Sequence, residues 1–119
     1  MAGESIRRGD VVLVPFPFTD LTATKVRPAV VVSADPQGED VTLAFISSVV
    51  ARVQLGATDL VIEPENPDFA RTGLNRASML RMAKLLTLSR AMILRRLGTL
   101  SPDLQKKADG CLKRALGLA

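Results

Sequence analysis

Lys25 and Arg27 set two fixed positive charges at the end of the polar stretch Thr19-Asp20-Leu21-Thr22-Ala23-Thr24, and Pro28 follows at once. Cations beside a loop free to close suit phosphate binding. An arginine can offer two parallel hydrogen bonds to phosphate oxygens while staying charged. Pro28 biases Arg27 toward extended backbone, which fixes where its side chain leaves the chain. The sequence contains no histidine, which excludes Ser-His-Asp, Cys-His and paired-histidine ribonuclease chemistries. Its one cysteine, Cys111, excludes an intramolecular disulfide and a multi-cysteine metal site and reads as a small buried hydrophobe. Asp35, Glu39 and Asp40 cluster in a turn, where solvation accounts for them better than a bound Mg²⁺. Neither a metal nor a cofactor is expected.

The elements that must position these cations are short strands. Val11 to Phe16 is an apolar, β-branched run opened by Gly9-Asp10 and closed by Pro17, a buried strand in which Pro15 suggests an edge or a bulge. Thr19 to Lys25 is an exposed, mobile loop. Ala29 to Ser33 is a second strand, and Ala34 to Gly38 is turn chemistry leading to a third, Val41 to Ser48. The three are expected to share one antiparallel sheet. Asp59 to Ile62 reads as a short strand and Pro64 to Gly73 as a long loop. In Ser78 to Leu85 the charges at Arg81 and Lys84 fit neither a clean helix nor strict alternation; the reading adopted is a strand. Ser89 is a good cap for a short helix, Arg90 to Leu97, stopped by Gly98. Ser101, Pro102 and Asp103 open a final helix with Leu104, Ala108, Cys111, Leu112, Ala115 and Leu116 on its apolar face and its lysines and Arg114 in water. Without strand-helix alternation, the pattern favours a mainly β fold with peripheral α elements, a small barrel, over a doubly wound sheet.

At 119 residues with 47% hydrophobic content, the chain is expected to be a single domain, 1–119, with a modest core. Association with a second copy is then an easy route to further burial. Sixteen Lys and Arg against twelve Asp and Glu give a net charge of +4, and the pI near 9.8 favours polyanions or acidic peptides as partners. Neither a signal peptide nor a membrane span is apparent, so the chain reads as soluble and cytoplasmic.

The order and spacing of several segments resemble the MazF/PemK-type toxins, the ribonuclease half of bacterial toxin-antitoxin pairs. They are Arg8-Gly9-Asp10, Pro15-Phe16-Pro17-Phe18-Thr19-Asp20, Arg27-Pro28-Ala29-Val30-Val31-Val32-Ser33, Ala44-Phe45-Ile46-Ser47-Ser48, Ser78 with Lys84-Leu85, and Leu97-Gly98-Thr99-Leu100. The resemblance covers about residues 7–116. It implies an SH3-like antiparallel β-barrel of the CcdB/MazF type with a C-terminal helix, a homodimer, and metal-independent cleavage of single-stranded RNA at short sequences. It also implies a cognate antitoxin that blocks the site with an acidic or amphipathic C-terminal segment. Arg27 matches the family's catalytic arginine. Ser47 stands where the family usually carries a catalytic threonine, so the hydroxyl is kept and a methyl lost. An unactivated hydroxyl is a weak base near neutrality, so Ser47 is expected to orient the reacting group, and the general base stays open. Strand alternation sends Ser47 and Ser48 to opposite faces, so only one should face RNA.

Lys25, Arg52, Arg81 and Lys84 are candidate phosphate-steering cations. With four phenylalanines and no Trp or Tyr, Phe18 is the candidate stacking platform, Phe16 and Phe45 read as core, and Phe69 has no assigned role. Base recognition then falls on loop backbone and on Thr19, Thr22 and Thr24. Two alternatives share the resemblance: a CcdB-like gyrase-binding toxin, which needs no catalytic arginine, and a degenerate relative that binds RNA or antitoxin without cutting.

Overall fold

The computed structural model describes residues 5–15, 25–49 and 55–118. Six strands, β1 (Asp10–Pro15), β2 (Val26–Ala34), β3 (Asp40–Ser48), β4 (Asp59–Ile62), β5 (Ser78–Ser89) and β6 (Arg95–Thr99), form one antiparallel sheet in the order β4-β5-β3-β2-β1-β6. A single helical turn, α1 (Phe69–Thr72), precedes β5, and a long helix, α2 (Pro102–Leu116), ends the fold. The sheet curls into a half-barrel carrying the C-terminal helix, which is the mainly β architecture expected.

Both faces of the central strands are buried. Val11, Val30, Ala44, Ile46 and Leu80 pack with Leu104, Ala108 and Cys111 of α2. Val12, Val14, Ala29, Val31, Val41 and Leu43 build a second cluster, closed by Ile6, Leu88 and Ile93. Because successive strand residues point to opposite faces, two buried faces call for unbroken apolar runs, and Val11 to Val14 and Ala29 to Val32 are such runs. Phe45 is half-buried, and Phe69 packs against the first cluster.

The turn Arg7–Asp10 ties the layers together. Gly9 sits at φ 92°, its N–H donates to the Val31 carbonyl at 2.8 Å and its carbonyl accepts from Leu100 at 2.9 Å. The buried Asp10 accepts from the Arg7 N–H at 2.9 Å, and Arg8 pairs with Asp109 on α2.

Four expectations need correction. β1 is an inner strand and not an edge, flanked by β2 and β6, and the irregularity in its pairing with β6 falls at Val11/Val12 and not at Pro15; Pro15 is tolerated because pairing with β6 stops at Leu13, so no ladder bond is lost on that side. The stretch 64–73 contains α1. Its Thr72 is fully buried, the hydroxyl donating to the Phe69 carbonyl at 2.6 Å and accepting from the Leu74 N–H at 3.1 Å. Ser89 does cap a turn, accepting from the Ala91 N–H at 3.2 Å, but that turn ends at Met92 and the chain becomes β6. An eight-residue helix is marginal alone, whereas Leu94 donates to the Leu13 carbonyl at 2.9 Å and Ile93 fills the second cluster. Finally, Leu116, expected on the apolar face of α2, is 54% exposed beside the helix end; Arg114 does face water, while its Nε donates to the Ala57 carbonyl at 2.7 Å and ties α2 to the approach to β4.

The ambiguous periodicity of β5 has a physical source. Its register on β3 passes from Ala44↔Leu85 directly to Phe45↔Arg81, leaving Met82 to Lys84 as extra residues. A bulge of this kind breaks alternation midway. In α2 the expected start is present: the Ser101 hydroxyl accepts from Leu104 at 3.1 Å with Pro102 in the first turn, and Gly117 closes the helix at φ 74°.

Gly98 is a packing glycine, since a Cβ there would meet the Arg71 carbonyl oxygen at 2.3 Å and the Thr72 carbonyl carbon at 2.5 Å. Gly98→Ala must push β6 off α1 and is expected to cost about 1–3 kcal/mol in urea unfolding. Gly110→Ala, in mid-α2 with only the Arg114 side chain at 3.7 Å, should instead stabilise by about 0.4–1 kcal/mol. A separate prediction concerns acid stability. Burial raises the Asp109 carboxyl pKa, but hydrogen bonds from Arg8 and Gln105 and the charges of Arg8 and Lys113 outweigh burial and hold it below its ordinary 3.8. A depressed carboxylate adds stability above its unfolded pKa, and that stability is lost as pH falls through the folded value. Arg8→Ala should therefore raise the Asp109 titration midpoint seen by carboxyl NMR and start acid unfolding at higher pH.

Candidate functional site

β2 and β3 run antiparallel with Ala29↔Phe45, Val30↔Ala44 and Val31↔Leu43 paired. Continuing that register by two residues brings Arg27, at the entry of β2, beside Ser47, at the exit of β3. A cleft of about 570 Å³ opens there. One wall is the end of the β2–β3 hairpin, with Arg27, Pro28, Ile46, Ser47 and Ser48. The other is the segment entering β5, with Leu74, Asn75, Arg76 and Ser78. Ser48 pairs with Ser78 and Ser47 with Met79, so the two walls meet along the β3–β5 ladder.

Both Ser47 and Ser48 line the cleft, where alternation had led us to expect only one. The reason is that the cleft wraps around the strand ends, taking Arg27 and Ser47 from one face and Pro28, Ile46 and Ser48 from the other. Arg27 and Ser48 are exposed and Ser47 is half-buried, so the hydroxyls border solvent-accessible space. Among the described lining residues there are two arginines, three serines and an asparagine, and no carboxylate. Such a site can bind an anion and stabilise added negative charge on it.

The predicted steering cations divide. Lys25 is exposed two residues before Arg27. Arg81 lies outside the cleft lining: its Nε is 3.8 Å from Asp59 Oδ1, too long for a hydrogen bond, and is buried with no hydrogen-bond partner among the described residues. Lys84 sits in the β5 bulge, exposed and also outside the lining. Phe18, Thr19, Thr22, Thr24 and Arg52, together with Phe16, lie outside the described residues. Sequence reading missed Asn75 and Arg76. No sequence signal marks them: they lie between Leu74 and Ala77 in the approach to β5, with no motif of their own.

A larger cavity, about 730 Å³, lies between the β2–β3 turn and the segment after β5, lined by Ile6, Glu39, Arg90 and Leu94 among others. It contains none of the predicted site residues. Arg90 there spends its guanidinium on the Asp35 carbonyl at 2.8 Å and the Ile6 carbonyl at 3.5 Å. Size alone would rank it above the Arg27 cleft, but the convergence of charge and hydroxyls favours the smaller one. No helix among the described residues is long and apolar enough to cross a membrane.

Comparison with known proteins gives a consistent result. The structure is similar to an endoribonuclease bound to its cognate antitoxin from a mycobacterial species, with TM-score 0.75, 19% identity, and 97% of this chain and 98% of that chain covered. The Mycobacterium tuberculosis toxin MazF-mt6 gives a TM-score of 0.70 at 19% identity, with 92% and 98% covered. A chain of the MazE-MazF structure from Deinococcus radiodurans gives 0.68 at 20% identity, with 94% and 96% covered. At these identities the likeness is one of fold. A search of curated proteins finds no match. The sequence itself, however, matches a family model over residues 7–116, and on that match the chain belongs to the PemK-like, MazF-like toxins of type II toxin-antitoxin systems.

Proposed function

We propose that this chain is a toxin endoribonuclease that cleaves single-stranded RNA at short sequence motifs without a metal. The observation that carries the reading is the convergence of Arg27 and Ser47 in a cleft with no carboxylate among its described lining residues. RNA supplies its own nucleophile. The 2′-oxygen bonds to phosphorus as the bond from phosphorus to the 5′-oxygen breaks; the 2′-hydroxyl gives up its proton and the departing 5′-oxygen takes one. The products are a 2′,3′-cyclic phosphate and a 5′-hydroxyl. What the protein must supply is alignment and charge stabilisation on the pentavalent phosphorus.

Arg27 stabilises that charge through its guanidinium, and Ser47 orients the phosphate or the 2′-oxygen. Phe18, Thr19, Thr22 and Thr24 are assigned to base contacts and Lys25, Ser48 and Arg52 to the RNA strand around them, while Arg81 and Lys84, outside the cleft lining, are left to longer-range attraction of the polyanion. Family membership supports a cognate antitoxin as the second partner, as does the likeness to MazE-MazF structures. Two copies of the chain are proposed to form the working unit, in the cytoplasm.

Arg27→Ala should lower cleavage of a defined RNA pool about 10²–10³-fold, with Ser47→Thr retaining activity and EDTA having no effect. Product ends should be 2′,3′-cyclic phosphate. Undiminished cutting by Arg27→Ala, or 3′-hydroxyl ends, would overturn the proposal. Growth arrest on expression with intact RNA would favour a protein target instead.

A further inference from the structure

We propose that Arg76 forms a second phosphate subsite on the wall opposite Arg27, binding a phosphodiester next to the scissile one. This deepens the endoribonuclease reading and rests on it. The first argument is charge. Arg8, Arg81 and Arg96 each face a carboxylate, on Asp109, Asp59 and Asp10 respectively, whereas none of the ion pairs among the described residues involves Arg76, which is exposed and belongs to the cleft lining. A cation left unneutralised in a concave site raises the local concentration of anions. A polyanionic strand passing Arg27 carries further phosphates that can meet it.

The second argument is rigidity. The segment bearing Arg76 is fixed at four points. Gly73 packs so closely on the Leu97 backbone that a Cβ would approach its carbonyl oxygen to 2.1 Å. Leu74 donates to the buried Thr72 hydroxyl at 3.1 Å. The Ser78 hydroxyl, 3% exposed, donates to the Arg76 carbonyl itself at 2.8 Å. Val49, just beyond β3, donates to the Ala77 carbonyl at 3.1 Å, joining the two walls. An arginine on a braced backbone loses less freedom on binding than one on a free loop. The geometry therefore divides labour: Arg27 acts on the reacting phosphate, and Arg76 positions the strand through a neighbour that does not react.

The test uses the full chain and two substrates, a cleavable RNA and the same strand carrying a 2′-deoxy sugar at the cut site, which binds but cannot react. Arg76→Ala should raise KM and the Kd for the 2′-deoxy strand about tenfold while leaving kcat within about twofold, and Arg76→Lys should recover most of the affinity. The slope of log Kd against log salt should flatten by about 0.7, the loss of one phosphate contact on a single strand. A purely structural role would not move that slope, and the thermal midpoint should be unchanged because the side chain is exposed. If the parent chain cuts RNA but Arg76→Ala matches it in Kd and salt slope, the subsite is overturned and the endoribonuclease reading stands. If the parent binds the 2′-deoxy strand in an Arg76-dependent way but cuts nothing, the nuclease reading falls and the subsite is supported. If the parent does not bind the strand at all, both fall.

Discussion

The pairing register of β2 on β3 is the constraint from which the site follows. Arg27 and Ser47 are twenty residues apart in sequence and meet only because Ala29 is held opposite Phe45 and Val31 opposite Leu43. A slip of one residue would turn every side chain of β2 to the opposite face. With clusters buried on both faces, such a slip must repack Val30 against the wrong cluster and Ala29 and Val31 against the other. Deleting a single buried large side chain typically costs about 2–5 kcal/mol, so displacing several at once is prohibitive against a total stability of about 5–15 kcal/mol. The apolar runs that look featureless in sequence are what hold the arginine in place.

Much of this was legible in the chain because local signals and tertiary demands agree. Ser101-Pro102-Asp103 begins a helix in isolation and in the fold, and Asp35 to Gly38 turns in both. Legibility failed where a distant partner decides the outcome. Arg90 to Leu97 has a helix cap at one end and a glycine beyond the other, yet most of it runs to or along β1, and Gly98 is there to admit α1 rather than to stop a helix. In β5 the extra residues Met82 to Lys84 erased the period a strand should show.

The site divides in the same way. Arg27-Pro28 stands out by residue type, and resemblance brought Ser47 to its partner. Asn75 and Arg76 carry no motif; they become visible only when β5 pairs with β3 and draws the preceding loop against the end of the hairpin. Arg81 shows the converse, a cation at an attractive spacing whose nearest acid is Asp59 and which lies outside the cleft lining. Charge in sequence is thus a poor guide to charge in a cleft, because carboxylates on neighbouring strands decide which cations are neutralised.

The central claim is that Arg27 and Ser47 act together on one phosphate, and a double-mutant cycle in single-turnover RNA cleavage tests it most directly. Groups that act as a unit are strongly non-additive. Adding Ser47→Ala to Arg27→Ala should slow cleavage far less than Ser47→Ala does alone. Fully additive losses, or unchanged cleavage in either single variant, would contradict it.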